Sequence, residues 1–223
     1  MSECNMKVIA HVRSDFKSKF GIPRQSGLVD SLKSTIVFTP EFRDVNMLKG
    51  IEQFSHLWII WHFSENHSWS PTVRPPRLGG NKRLGVFSTR SPFRPNPIGI
   101  SCVKLVSVEH NTKDGTVLHI SGGDMLDMTP VFDIKPYIPY TDCHPEAQGG
   151  FADRKDQTIA VEISPDLSYK LPSDTLSSLI AVLSQDPRPA YKEDSSRVYG
   201  MNFAGFEIKF KVENSTLTVT DIE

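Results

Sequence analysis

The chain has no long apolar run. Its strongest, Leu57 to Trp61, is five residues, whereas a bilayer-spanning helix needs about twenty. Met1 to Phe20 carries scattered charges and no apolar stretch of the kind a secretory leader needs. A soluble, cytoplasmic protein with no membrane partner is expected. Cysteine is scarce: Cys4, Cys102 and Cys143 are odd in number and far apart, which fits reduced thiols better than a disulfide framework or a zinc knuckle. No G-x-x-x-x-G-K-S/T, no strand-linked G-x-G-x-x-G and no G-x-S-x-G occurs. P-loop, Rossmann and α/β-hydrolase readings therefore fall away. His62 and His67 lack a third ligand at metal spacing, and His56 and His62 lie in an apolar strand, so no metal site is expected. The formal net charge is −1, so any polyanion must be met by a local patch rather than by the average field.

One absence points to such a patch. Between Glu65 and Glu109 there is no Asp or Glu, while Arg74, Arg77, Lys82, Arg83, Arg90, Arg94 and Lys104 all carry positive charge. Inside that segment lies Gly85-Val-Phe-Ser-Thr-Arg-Ser-Pro-Phe-Arg-Pro-Asn-Pro-Ile-Gly-Ile-Ser101. Pro92, Pro95 and Pro97 remove backbone donors and fix φ, so Arg90, Arg94 and Asn96 are presented from a stiff loop at low entropic cost. Preorganised guanidinium suits bidentate binding of a carboxylate or phosphate. The alternative, arginines paired with acids elsewhere in the fold, stays open on this evidence.

Short runs rich in Val, Ile and aromatics recur at Lys7 to Val12, Thr35 to Thr39, His56 to Phe63, Leu84 to Ser88, Ser101 to Glu109, Thr116 to Ser121 and Val131 to Ile134. That is an all-β grammar. Asn111 to Gly115 reads as a hairpin loop with Gly115 at positive φ. His56 to Phe63 is apolar on both faces, which suits a central strand in a closed or nearly closed barrel. Val45 to Phe54, with Met47, Leu48, Ile51 and Phe54 at helical spacing, predicts one short helix against the barrel. After Cys143, His144 to Gly150 reads as a linker. Beyond it, Ser173 is placed to cap a helix with a Leu176, Leu179, Ile180, Leu183 stripe, and Phe206 to Val212 with Thr216 to Thr220 predict a hairpin around Asn214. The expected architecture is mainly β, a barrel over residues 5–145 followed by a small C-terminal α+β domain over 152–223.

Two further constellations carry polar chemistry. In Asp124-Met-Leu-Asp-Met-Thr-Pro-Val-Phe-Asp-Ile-Lys-Pro-Tyr137, Asp133, Lys135 and Tyr137 alternate onto one strand face. They could touch a substrate, or Asp133 and Lys135 could form an ion pair. Pro23-Arg24-Gln25 is a shorter signal that carries little alone.

Taken together, Pro23-Arg-Gln25, Arg74-Pro-Pro-Arg-Leu-Gly-Gly80, the Gly85 to Gly99 loop and Asp133-Ile-Lys-Pro-Tyr137 resemble the TsaA-like (TrmO) family over about residues 5–145. Gln185 to Tyr191 with Arg197-Val-Tyr199 is similar to the extra C-terminal domain of its bacterial members. The resemblance implies a non-Rossmann β-barrel methyltransferase. Its methyl donor would be S-adenosyl-L-methionine, its target N6 of threonylcarbamoyl-adenosine at tRNA position 37, and its working form a homodimer with sites near the subunit interface. Carried over by motif, the donor contacts are Pro23, Arg24, Gln25, Phe63, Ser64, Arg90, Ile100 and the turn Asp127, Met128, Thr129 and Pro130. Arg74, Arg77, Lys82, Arg83 and Arg94 would meet tRNA phosphates around the anticodon loop, and Asp133, Lys135 and Tyr137 would orient the base; Arg188 and Lys192 could add tRNA contacts. No residue stands out as the catalytic base. The chain departs from the family at Met128, where the usual turn is Asp-Gly-Thr-Pro. If that glycine supplies positive φ, Met128 strains the turn or crowds the donor. A non-catalytic RNA-binding barrel and an S-adenosylmethionine sensor are the alternative functions.

Overall fold

The computed structural model describes residues 5–153, 157–188, 194 and 196–223. No helix among them is long and apolar enough to cross a membrane. The strands are β1 (Ala10–Arg13), β2 (Lys33–Phe38), β3 (His56–His62), β4 (Thr72–Val73), β5 (Leu84–Gly85), β6 (Ile98–Thr112), β7 (Gly115–Ser121), β8 (Pro130–Pro136), β9 (Ala160–Glu162), β10 (Tyr199–Phe203), β11 (Phe206–Glu213) and β12 (Thr216–Ile222). The helices are α1 (Pro139–Asp142), α2 (Pro165–Ser168) and α3 (Ser173–Leu183).

Six strands close into a barrel in the order β1-β2-β7-β6-β3-β8, every neighbouring pair antiparallel. The protein is therefore mainly β, as the recurrent short apolar runs predict. Alternation drives closure: Leu57, Ile59 and Trp61 of β3 point inward with Val12, Ile36, Val103, Leu118, Ile120 and Val131. β3 lies between β6 and β8, so its reading as a central strand holds. Its outward residues Trp58 and Ile60 are only half covered by this chain. The β6–β7 hairpin turns where expected, with Asn111 and Gly115 both at positive φ, 61° and 83°.

Three local expectations are corrected. Val45 to Phe54 is not one helix but two 3-10 turns, Val45–Leu48 and Ile51–Gln53, because Gly50 between them sits at φ 89°. Leu84 to Ser88 supplies only the two-residue β5, paired with β4, and then a 3-10 turn at Val86–Ser88. Ser173 does not cap α3 but opens it, following Pro172, and Val182 rather than Ile180 lies on its buried face.

The C-terminal unit pairs β10-β11-β12-β9, with β9 parallel to β12, against α3. The hairpin around Asn214 is as expected, whereas β9 and β10 escaped the sequence reading. Its core also takes in Phe16, Val29 and Leu32, which lie in the chain between β1 and β2.

Two backbone positions carry direct consequences. Gly99 faces inward opposite Trp61, and a Cβ there would lie 2.3 Å from the indole Cε2. Gly99→Ala should therefore cost about 2–3 kcal/mol in denaturant unfolding through overpacking; a wild-type midpoint would show that the barrel end yields. Met128 adopts φ 62°, the left-handed region that the glycine of the related turn would occupy without strain. Met128→Gly is expected to raise stability by up to about 1 kcal/mol, the relief of left-handed strain less the extra chain entropy of glycine, as measured by thermal unfolding.

Candidate functional site

Strand direction decides where the candidate residues meet. With all neighbours antiparallel, the connections β1–β2 (residues 14–32), β3–β6 (63–97) and β7–β8 (122–129) leave the same end of the barrel. Pro23 to Gln25 ride on the first, Ser64 and the proline-arginine loop on the second, and Asp127 to Thr129 on the third.

The first two connections are in contact. Pro23 is buried while Arg24 is exposed. Arg90 Nη1 donates to Gln25 Oε1, and the Gln25 amide in turn donates to the Arg24 carbonyl. Lys19 Nζ donates to the Glu65 carbonyl at 2.9 Å, and the Phe63 amide to the Pro97 carbonyl at 2.9 Å. Ser26 Oγ accepts the Cys102 amide at 3.1 Å, which lays the Pro23 to Ser26 segment along β6 beside the exposed Ile100.

A polar chain runs from the barrel interior toward this surface, with Ser101 buried and Asp124 half-buried. Trp61 Nε1 donates to Ser101 Oγ at 2.9 Å, and Ser101 Oγ donates to Asp124 Oδ1 at 2.5 Å. Burial pushes the Asp124 carboxyl above its ordinary range. The Ser101 hydroxyl, the backbone amides of Asp124 and Ser26 and the charge of Arg90 act in the opposite direction. Asp124, Ser101 and Ser26 were not singled out from the sequence. The available signal was Ser101 standing at an inward position of a strand between Gly99 and Val103.

The outer surface of β6, β3 and β8 carries the next group. Ile60 is flanked by Ile100 on β6 and Asp133 on β8, and Trp58 by Cys102 and Lys135. Lys135 Nζ and Asp133 Oδ2 form an ion pair at 2.8 Å, one of the two arrangements their spacing allowed. Tyr137 stands at the far end of this face, its ring near those of His56 at 6.2 Å and Trp58 at 5.7 Å. Trp58 Nε1 donates to Asp142 Oδ2 at 2.9 Å, so α1 folds back over the same face.

Asp127 to Pro130 are at the right end of the barrel but on another side. Asp127 accepts the Ser14 amide at 3.0 Å and Lys17 Nζ at 2.5 Å. Thr129 is buried, its hydroxyl donating to the Leu126 carbonyl at 2.7 Å. Asp127 and the exposed Met128 line a cleft of about 570 Å³ with Arg13, Lys17, Lys33 and His119. The turn is hydrogen-bonded to Val12, Ser14, Phe16 and Lys17, on β1 and the chain just after it.

The basic residues divide as well. Arg94 donates to the Val86 and Thr89 carbonyls at 3.1 and 2.7 Å and lies over the Phe87 ring at 5.6 Å, so it braces its own loop. Arg83 Nε bonds Thr72 Oγ1 at 2.9 Å and ties the β4–β5 ribbon. Arg74 and Lys82 are exposed. The side chain of Arg77 and the whole of Lys192 lie outside the described residues, and Arg188 pairs with Asp186 at 2.8 Å. No group of three His, Cys, Asp or Glu side chains among the described residues is placed to share a metal ion.

Residues 11–143 match the tRNA-methyltransferase O N-terminal domain, and residues 156–223 match the TrmO C-terminal domain. The chain is 39% identical to the tRNA (adenine(37)-N6)-methyltransferase of Escherichia coli K12, over 100% of this chain and 99% of that protein. It is 44% identical to the protein of the same name from Eikenella corrodens, over 72% of this chain and 92% of the other. The crystal structure of TrmO from Pseudomonas aeruginosa superposes with a TM-score of 0.82 at 32% identity, covering 100% of this chain and 99% of that one. A barrel whose three connections converge at one end, joined to a C-terminal sheet and matched along nearly its whole length, belongs to the TrmO family.

Proposed function

We propose that this protein transfers a methyl group from S-adenosyl-L-methionine to N6 of threonylcarbamoyl-adenosine at position 37 of tRNA. The observation that carries the reading is the joining of Gln25 and Arg90 across two connections, with the charge of Arg90 also acting on the Asp124 carboxyl of the third. Exposed guanidinium and amide groups beside an apolar residue, Ile100, fit a donor that is both zwitterionic and apolar. When bound, the donor supplies a sulfonium-activated methyl group. The chain's share is alignment and exclusion of water, because an in-line displacement of this kind gains most from fixed geometry.

In this reading Arg90 and Arg24 hold the donor's carboxylate, and the backbone of Pro23, Phe63 and Ser64 shapes its seat. Asp133, Lys135 and Tyr137 orient the acceptor from the outer face of β8. Arg74, Arg77, Lys82 and Arg83 meet tRNA phosphates, leaving Arg94 to stiffen the loop. The working form is a homodimer. Two features support that: the half-exposed apolar outer face of β3 and β6, with Ile98 38% and Ile100 51% exposed, and the separation within one chain of the Asp127 to Pro130 turn from Arg90. A cytoplasmic location and domain limits of 5–145 and 152–223 complete the proposal.

The direct test is methyl transfer from labelled S-adenosylmethionine to total tRNA of a strain lacking the endogenous activity, followed by mass spectrometry of the nucleosides. Methylated threonylcarbamoyl-adenosine is the expected product. Donor binding without product would point to a sensor, and no donor binding to an RNA-binding barrel. Arg90→Ala should raise the donor Kd about ten- to a hundredfold, the loss of a charge-assisted contact. Arg74→Ala and Lys82→Ala should each weaken tRNA binding and lower the slope of log K against log salt by about one. Unchanged affinity and slope in both variants would remove the phosphate assignment.

A further inference from the structure

The C-terminal unit packs against the segment that carries the candidate donor residues. The β1–β2 connection, residues 14–32, contains no helix or strand. A loop of that length would ordinarily be mobile. Here its apolar side chains enter the C-terminal core: Phe16, Val29 and Leu32 are buried in it, and Phe20, Ile22 and Leu28 pack against it. Phe20 is stacked near-parallel with both Tyr199, at 6.4 Å and 10°, and Phe210, at 6.3 Å and 8°. Phe16 meets Phe203 at 5.4 Å. Backbone bonds fix the path, with the Ala204 amide donating to the Asp15 carbonyl at 3.0 Å and Ser178 Oγ to the Ser31 carbonyl at 3.2 Å. Closest of all is Gly21, at φ 92°, where a Cβ would lie 1.9 Å from Met201 Sδ.

The chain then leaves this core at Ile22 and enters Pro23-Arg24-Gln25. Within four residues it is tied to the barrel, through Ser26 Oγ to the Cys102 amide at 3.1 Å and the Gly27 amide to the Gly122 carbonyl at 2.8 Å. The candidate donor residues thus span a short bridge between two cores. Neither anchor alone fixes both ends of it.

We propose that the C-terminal unit acts as a clamp for the donor-binding loop, and that Met201 and Phe20 are positioning residues that set Arg24, Gln25 and, through Gln25, Arg90. This rests on the reading of Pro23 to Gln25 as donor contacts. Loosening the clamp restores conformational freedom to the loop, which donor binding must then remove. The effect belongs in donor affinity, not in turnover once the donor is bound.

The experiment is calorimetric titration of S-adenosylmethionine into the full chain, with steady-state kinetics on tRNA, for Met201→Ala, Phe20→Leu and Gln25→Ala. Phe20→Leu keeps an apolar anchor if Met201→Ala proves too unstable to handle. Met201→Ala and Phe20→Leu should raise the donor Kd and KM at least tenfold, with kcat at saturating donor within about twofold of wild type and tRNA affinity unchanged. If Gln25→Ala weakens donor binding while Met201→Ala and Phe20→Leu lower only the unfolding temperature, the clamp is overturned and the donor reading stands. If Gln25→Ala leaves the donor Kd unchanged, the assignment of the loop is overturned, and the clamp with it.

Discussion

The loop-bearing end of this barrel depends on one hydrogen-bond chain, from the buried Trp61 indole through the buried Ser101 hydroxyl to the half-buried Asp124 carboxyl. It crosses β3, β6 and the β7–β8 connection, and the Ser26 amide extends its reach to the β1–β2 connection. Gly99 makes it possible, because only a residue without Cβ lets the indole lie against β6 there. Removing any member would leave an unpaired polar group inside a tightly packed interior, which costs more than the hydrogen bond contributes.

The same chain carries a cost. Burial raises the Asp124 pKa, so the protonated carboxyl is favoured in the fold relative to the unfolded chain. Stability from that proton is fully present below the unfolded pKa and is lost as pH rises through the folded one. Burial therefore opposes the carboxylate form, an effect countered in part by the Ser101 hydroxyl, two backbone amides and the charge of Arg90. Because the Ser101 hydroxyl ties this carboxyl to β6 while the Ser26 amide and the charge of Arg90 act on it from the other two connections, it couples all three at this end of the barrel.

Much of this was legible beforehand. Short runs rich in Val, Ile and aromatics between turn residues located every barrel strand, since each strand feeds one shared core and its composition is a local property. The acid-free segment announced its charge excess for the same reason. What could not be read is allocation: Arg94 and Arg90 sit in similar proline-rich surroundings, but Arg94 turns back onto the Val86 and Thr89 carbonyls whereas Arg90 reaches another connection. Helical spacing at Val45 to Phe54 misled because Gly50 reverses φ in mid-segment. β10 was missed because Gly200 and Asn202 occupy its exposed positions and break the strand signal, although Tyr199, Met201 and Phe203 alternate inward.

The apolar residues of the β1–β2 connection pose a different problem. Phe16, Phe20, Ile22, Val29 and Leu32 follow neither strand nor helical period, because the core they enter is built from residues roughly 140 to 200 positions further along the chain. No local pattern encodes such a contact; only the presence of bulky apolar residues in an otherwise loop-like stretch hints that something must cover them. That cover matters for chemistry that works by alignment. A glycine-rich nucleotide fold places its ligand on a helix N-terminus fixed by the sheet beneath it, and this barrel has no such element at its open end. Its rigid seat has to be assembled from connections, so the precision of the site is set by whatever immobilises them: prolines and an inward-turned arginine in one, a carboxyl hydrogen-bonded to the barrel wall in the second, and the packing of a separate sheet in the third.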